Sequence, residues 1–379
     1  MRLRAIATEA PDGSCRMQMR LHTARRSFTF EHRVAAGAIS SSGNAALAAA
    51  LLPSMRWGGI LQVDAPVSSR LLANVGAIQE AFLAHSSRLR PVEVVAPVAT
   101  DPEPASGRGV ACFFSGGIDS FYSVLSHRDE ISHLVFIHGF DIPLGERSLR
   151  ARVSASLQAA AAELGIPLIE AESDARSFAE RHVDWSGQYY GAFLASIALL
   201  LSPRFRKVYI ASSYGPGQDV FCGSTPEVDP LWSTEELEIV HDAQVARLDK
   251  IAAVAEVPVA LRRLRVCWEN RAGAYNCGRC RKCLLAMAGL RIVGALDRCE
   301  SFPVPLDLDA LARLPLTSLT NLGVFTKEFL RAAEEAGDSE VANALRETLK
   351  RATPRQRAID RFKEQVRGGL RRRLAVLRR

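Results

Sequence analysis

The chain has 379 residues, with 48 lysines and arginines against 41 aspartates and glutamates, for a formal charge of +7. Hydrophobic residues make up 48% and charged residues 23%, which excludes wholesale disorder and supplies enough chain for two or three domains of roughly 150 residues each. No apolar run approaches the ~18 residues of a membrane span, and the amino terminus lacks the apolar core of a secretory signal. A cytoplasmic protein with no membrane span is expected, its eight cysteines reduced and available for metal or chemistry.

From the amino terminus, residues 1–98 alternate like strands at Cys15–His22 and Arg26–Arg33. Helical spacing follows at Asn44–Met55, a short strand at Ile60–Asp64 and a helix at Ser68–His85. This reads as a small α+β domain without a chemical motif. A segment rich in Pro, Ala and small residues, 96–109, reads as a linker.

Beyond it the pattern changes. Val110–Phe114, Leu134–Ile137, Pro167–Glu170 and Val208–Ala211 are apolar runs of buried parallel strands, separated by amphipathic stretches at 119–129, 146–164 and 187–202. Alternating β and α of this kind predicts an α/β fold with a doubly wound parallel sheet. The first of these strands runs directly into Ser115-Gly116-Gly117-Ile118-Asp119-Ser120, and a helix follows. The glycines permit a sharp turn with no Cβ between backbone and ligand, and the helix start presents free N–H groups to an anion. Ser115 and Ser120 add hydroxyl donors, and Asp119 is placed to orient the loop or help hold a metal. The pattern is neither a Walker loop nor a dinucleotide fingerprint.

Cys267, Cys277, Cys280 and Cys283 follow C-x9-C-x2-C-x2-C. Short bites between thiolates favour a structural Zn2+. An iron–sulfur cluster is the competitor, but the ferredoxin run needs a further cysteine where Met287 stands, and merely buried thiols are the third reading. Cys15, Cys112, Cys222 and Cys299 lack such spacing. From residue 303 to 379 the sequence reads as a helical extension ending in a basic tail. Residues 351–379 hold 11 basic and 2 acidic residues, 11 − 2 = +9, so the other 350 carry 37 − 39 = −2. Nucleic-acid or anionic-surface contact is therefore expected only through the tail, which otherwise reads as a solvated helix with one docked face.

The hexapeptide SGGIDS, in its strand–loop–helix context, resembles the signature of the PP-loop ATP pyrophosphatases, whose fold is the adenine nucleotide alpha hydrolase-like one. Paired with the downstream cysteines, it is similar to the 7-cyano-7-deazaguanine synthase family over residues 108–296. Gly187-Gln188-Tyr189-Tyr190-Gly191 and Leu248-Asp249-Lys250-Ile251 add to the likeness. The resemblance implies a carbon–nitrogen ligase that splits ATP into AMP and pyrophosphate, with Mg2+ on the phosphates. The loop, Ser115 to Ser120, would hold pyrophosphate while an acceptor carboxylate, such as a 7-carboxy-7-deazaguanine, is adenylated for attack by ammonia or an amine. It places Lys250 near the phosphates and His138 near the adenine. By residue type alone, a surface helix residue is the lesser alternative for Lys250, while His138 reads equally as a hydrogen-bonded structural histidine.

The stretch between Ala211 and Lys250 departs from the family, and Asp219, Glu227, Asp229, Trp232, His241 and Asp242 in it could line an acceptor pocket. A tRNA-thiolating enzyme and a non-catalytic zinc-stabilised nucleotide-binding adaptor are the alternative readings. The sequence leaves a homo-oligomer open.

Overall fold

The computed structural model describes residues 1–35, 37–99, 107–218, 220–314 and 322–351. The centre of the linker, Asp219 and the basic tail from residue 352 lie outside them.

The first elements are β1 (Arg2–Glu9), β2 (Cys15–His22) and β3 (Ser27–Val34), an antiparallel meander. In β2 the alternation is complete: Cys15, Met17, Met19 and Leu21 are buried while Arg16 and Arg20 are exposed. Next comes α1 (Asn44–Ser54), an alanine- and leucine-rich helix with no polar face and every residue buried. After it come β4 (Gly59–Val63), α2 (Ser69–Leu83) and β5 (Val92–Val95). The Ser68 side chain caps α2 by accepting the Leu71 N–H.

The alternating region follows as β6 (Gly109–Phe113), α3 (Ile118–Ser126), β7 (His133–His138), α4 (Arg147–Leu164) and β8 (Leu168–Ser173). It continues with α5 (Ala175–Ala179), α6 (Tyr190–Leu200), β9 (Phe205–Ala211) and β10 (Glu238–Asp242). Gly165, at φ +72°, ends α4 in the left-handed conformation that glycine supplies.

Among the described residues all ten strands join one sheet, ordered β10-β9-β6-β7-β8-β3-β2-β1-β4-β5. The α/β architecture read from the sequence is present, with a mostly parallel sheet. β10, β9, β6, β7 and β8 are mutually parallel, as are β1, β4 and β5, and β3 joins the blocks by pairing antiparallel with β8. Residues 1–98, read from sequence as a separate small domain, thus extend the sheet of the alternating region.

A buried polar chain reinforces the junction. Ser196 donates to the Ala45 carbonyl at 2.7 Å, so its oxygen accepts from His32 Nε2 at 2.7 Å, leaving His32 Nδ1 to accept from Ser173 at 2.8 Å. β3, β8, α6 and α1 are linked in one direction. Burial pushes His32 down to about 3, so the ring is neutral.

The chain divides into two compact units, one of residues 1–213 and 221–244, the other of 214–220 and 245 onward. This division differs from the linker boundary expected near residue 98. The sheet belongs wholly to the first unit. The second is helical among its described residues: α7 (Arg247–Ala255), α8 (Pro258–Arg263), α9 (Arg281–Ile292), α10 (Leu308–Ala312), α11 (Leu322–Glu335) and α12 (Ser339–Arg351). α9 packs against α7, α10 and α11, and Arg291 on α9 pairs with Asp338 at 2.7 Å and Glu340 at 2.6 Å. Among the described residues no helix is long and apolar enough to cross a membrane.

Candidate functional site

The loop Ser115–Ser120 sits where the strand order reverses. From β6 the chain moves through α3 to β7 and β8 on one side, then returns to β9 and β10 on the other. In open α/β sheets the carboxyl ends of strands at such a reversal border the crevice where ligands bind. Gly116 adopts φ +73°, a conformation that relieves the turn out of β6, and Gly117 caps α3 in extended conformation. Ser120 Oγ donates to the Gly117 carbonyl at 3.0 Å, and the Gly117 N–H donates to Ser115 Oγ at 3.3 Å. Ser115 is exposed, Ser120 is buried, and Asp119 lies in the first turn of α3. The loop is thus held by its own hydroxyls, with the positive end of a helix behind it.

The same edge of the sheet carries the segments after β7 and β8. Gly139 has φ +93°, and a Cβ there would stand 1.9 Å from the Ser173 carbonyl oxygen. Phe140 follows and meets Trp185 edge-on at 4.9 Å. Trp185 opens a single π-helical turn, Trp185–Tyr189, of the kind often found near functional sites, and the Arg176 guanidinium lies 4.3 Å over its ring. Gly191 and Gly223 approach so closely that a Cβ on Gly191 would lie 2.0 Å from the Gly223 carbonyl oxygen, which accepts the Gly191 N–H at 3.0 Å. The GQYYG segment singled out in the sequence therefore docks residues 221–224.

His138, at the end of β7, is buried and bonds through Nε2 to Glu170 at 2.6 Å, while Nδ1 has no hydrogen-bond partner among the described residues. Burial raises the Glu170 carboxyl, but hydrogen bonds from His138, Ser154 and Gln158 outweigh it and hold the group at about 2. Both residues line a cavity of about 320 Å³ with Arg147, Arg150, Ser154 and Glu172.

Among its described residues, the stretch expected to line an acceptor pocket contains β10. Asp229 is fully buried, accepting from Ser224 at 2.5 Å and bonding His241 Nδ1 at 2.7 Å. Trp232 is fully buried, Asp242 bonds His127 at 2.8 Å, and Glu227 is exposed. Asp229, His241 and Asp242 thus serve contacts inside the connection and its neighbours. Lys250 lies in the second unit, on α7, with its side chain fully buried. It is not the solvated helix residue that spacing alone allows.

The four cysteines converge in the second unit. Their sulfurs all lie within 4.8 Å of one another, and Cys267 and Cys280 are 3.9 Å apart, near the ~3.8 Å separation of sulfurs ~2.3 Å from a tetrahedral Zn2+. Gly278 at φ +65° turns the chain, and a Cβ there would lie 2.3 Å from Val304. Cys280 caps α9, its sulfur accepting the Cys283 N–H at 3.4 Å, while Cys277 accepts the Cys280 N–H at 3.2 Å. Hydrogen bonds from Cys280 and Cys283 drive the Cys267 thiol far below its usual range. The contact with Cys267 raises Cys280 to about 12, and contacts with both drive Cys283 higher still. Four sulfurs so placed could hold a divalent cation, which would bind them as thiolates. All eight cysteines are free, so no disulfide competes.

Asn276 was not legible as part of this centre. It is buried, its carbonyl oxygen accepts the N–H groups of Val266 at 3.0 Å and Cys267 at 3.1 Å, and its amide donates to the carbonyls of Leu264 at 2.8 Å and Ser301 at 3.1 Å. One side chain thereby fixes the strand-like segment bearing Cys267 to the turn bearing Cys277. Its adjacency to Cys277 is the one signal the sequence offers.

Comparison with protein-family models, with curated proteins and with solved structures finds no match to this chain.

Proposed function

We propose that this chain is an AMP-forming, ATP-dependent carbon–nitrogen ligase. The observation that supports it most is the SGGIDS loop at the carboxyl end of β6, at the reversal of strand order and directly before α3. Such a loop suits an anionic leaving group rather than a covalent intermediate, since it offers backbone N–H groups, the exposed Ser115 hydroxyl and a helix dipole but no activated nucleophile.

On this reading the carboxylate oxygen of a small acceptor attacks the α-phosphorus of ATP, and the bond to the bridging oxygen of pyrophosphate breaks. The loop N–H groups and the exposed Ser115 hydroxyl receive the charge that collects on the leaving group, while Ser120 braces the turn through its bond to the Gly117 carbonyl. Mg2+ enters bound to the nucleotide phosphates and neutralises part of that charge. Asp119 orients the first turn of α3 or the cation's water. Ammonia or an amine then attacks the acyl adenylate and AMP leaves. Zn2+ at the four cysteines would have a structural role, because a full set of four sulfur donors leaves no open position for substrate.

The test is ATP–pyrophosphate exchange with Mg2+ across a panel of small carboxylates, 7-carboxy-7-deazaguanine among them. Exchange dependent on one acceptor class, and lost in Ser115→Ala, is expected. ATP binding with no exchange for any acceptor would favour the non-catalytic adaptor instead.

A further inference from the structure

One face of the amino-terminal half of the sheet carries a charge pattern that neither the phosphate loop nor the cysteine cluster uses. On β1, β2 and β3 alternate residues point inward: Leu3, Met17, Met19, Leu21, Phe30 and Val34 are buried. The opposite face presents Arg2, Arg4, Arg16, Arg20 and Arg33, all exposed, and the turn between β2 and β3 adds exposed Arg25 and Arg26. Residues 1–34 contain seven arginines, no lysine and three acids, 7 − 3 = +4. Charge summed over the body of the chain conceals this concentration.

The register makes the pattern costly for folding. Arg4 stands directly opposite Arg20, and Arg16 directly opposite Arg33. Like charges in facing positions destabilise a sheet. The nearby carboxylates do not balance them. Asp64 is shared between Arg2 at 2.8 Å and Arg4 at 2.9 Å, and Glu31 between Arg16 at 3.7 Å and Arg33 at 3.3 Å. Arg20 makes no ion pair among the described residues. The four paired arginines keep 45–53% of their side-chain surface exposed, so their guanidinium groups remain open to a further anion. Local rules broken without a structural return mark places shaped by function.

We propose that this face binds a nucleic-acid strand by its phosphates, without reading its bases. Arginine's planar fork matches a phosphate with two parallel hydrogen bonds, and arginine is the sole basic residue type used here. The outward positions of β1, β2 and β3 otherwise hold Thr, Gln, Ser, Glu, the single apolar Ile6 and His22, with no phenylalanine, tyrosine or tryptophan for base stacking. Across β1, β2 and β3 the face has no apolar centre of the kind a protein–protein interface has, exposed Ile60 and Val95 lying on the flanking β4 and β5, whereas an interface with nucleic acid is polar and strongly positive. The surface is independent of the ligase reading and stands or falls separately from it.

The experiment is fluorescence anisotropy of the full chain with a labelled oligouridylate and a labelled oligothymidylate of about twenty nucleotides each, over a range of KCl concentrations. Affinity should fall steeply with salt. The triple variant Arg4→Gln/Arg20→Gln/Arg33→Gln should bind about tenfold more weakly at low salt, with a log–log salt slope shallower by about 2. Its melting temperature should be unchanged or raised, because facing like charges are gone. Arg20→Gln alone, which breaks no ion pair, should weaken binding in the same direction should the triple variant fold poorly. Undiminished binding by these variants, no binding at low salt, or preference for poly-glutamate or for phosphatidylserine vesicles over the oligonucleotides would overturn the proposal.

Discussion

The loop at residues 115–120 and the turn at Cys277–Cys280 share a construction. Each contains a glycine at positive φ, Gly116 or Gly278, and each leads into the first turn of a helix, α3 or α9. They differ in what completes them. The loop satisfies itself, with Ser120 bonded to the Gly117 carbonyl and Ser115 accepting the Gly117 N–H, so it stands ready before any ligand arrives. The cysteine turn instead gathers four sulfurs within 4.8 Å of one another, a donor set that could hold a metal ion. A self-satisfied turn is suited to a ligand that comes and goes. A turn that gathers four sulfur donors is suited to a structural ion.

Removing the cluster's sulfurs should cost the protein most. Cys277→Ser/Cys280→Ser should remove one equivalent of bound zinc per chain and destabilise the second unit by several kcal/mol, since structural zinc is worth about 10–16 kcal/mol in small zinc-dependent domains. Elemental analysis with thermal unfolding tests this. Iron with visible absorbance, or unchanged stability on metal loss, would end the structural-zinc account.

At the loop, Ser115→Ala or Asp119→Ala should lower turnover by about 10²–10³, as when one donor to a developing charge is removed, with zinc content and melting temperature unchanged. A loss of zinc in these variants would blur the distinction between the two turns. Asn276→Ala should cost about 3 kcal/mol, because the buried N–H groups of Val266 and Cys267 lose their acceptor. It should also weaken zinc retention in a chelator competition, with Asn276→Asp rescuing part of the loss by keeping the acceptor.

The smallest effect concerns the junction of the sheet. His32 has its folded pKa depressed from 6.5 to about 3, so the stability it contributes is complete above pH 6.5 and is lost as pH falls from 6.5 toward 3. Denaturant unfolding of the wild type should show an acid slope steeper than that of His32→Gln, by up to about 1.4 kcal/mol per pH unit in that window. Equal slopes would mean that the ring is already charged or that the buried chain does not hold β3 to β8.

The parts legible in the sequence are those whose signal is contiguous. The apolar runs gave β6, β7, β8 and β9, the hexapeptide gave the loop, and the cysteine spacing gave the converging sulfurs. Other strands carry no such signal. β1 holds only Leu3 and Ile6 as large apolar side chains, and it is a strand because β2 and β4 flank it. β10 sits inside a polar, proline-containing stretch and is recruited by β9. The continuity of residues 1–98 with the main sheet depends on three backbone pairs between β3 and β8 and on the buried His32, which no local pattern announces. Lys250 shows the same limit: its spacing and acidic neighbour Asp249 suit a solvated helix face, yet its side chain is fully buried. Asp229, Trp232 and His241 look like exposed chemistry in one dimension and form buried contacts in three.

On the proposed reading, a self-satisfied loop at the sheet's reversal point directs cleavage between the α and β phosphates of ATP. Separation of the nucleotide products by anion-exchange chromatography, after incubation with ATP, Mg2+, ammonia and the acceptor found by exchange, tests it most directly. AMP and pyrophosphate in equal amounts, both abolished by Ser115→Ala, is the expected result. ADP and inorganic phosphate would contradict it.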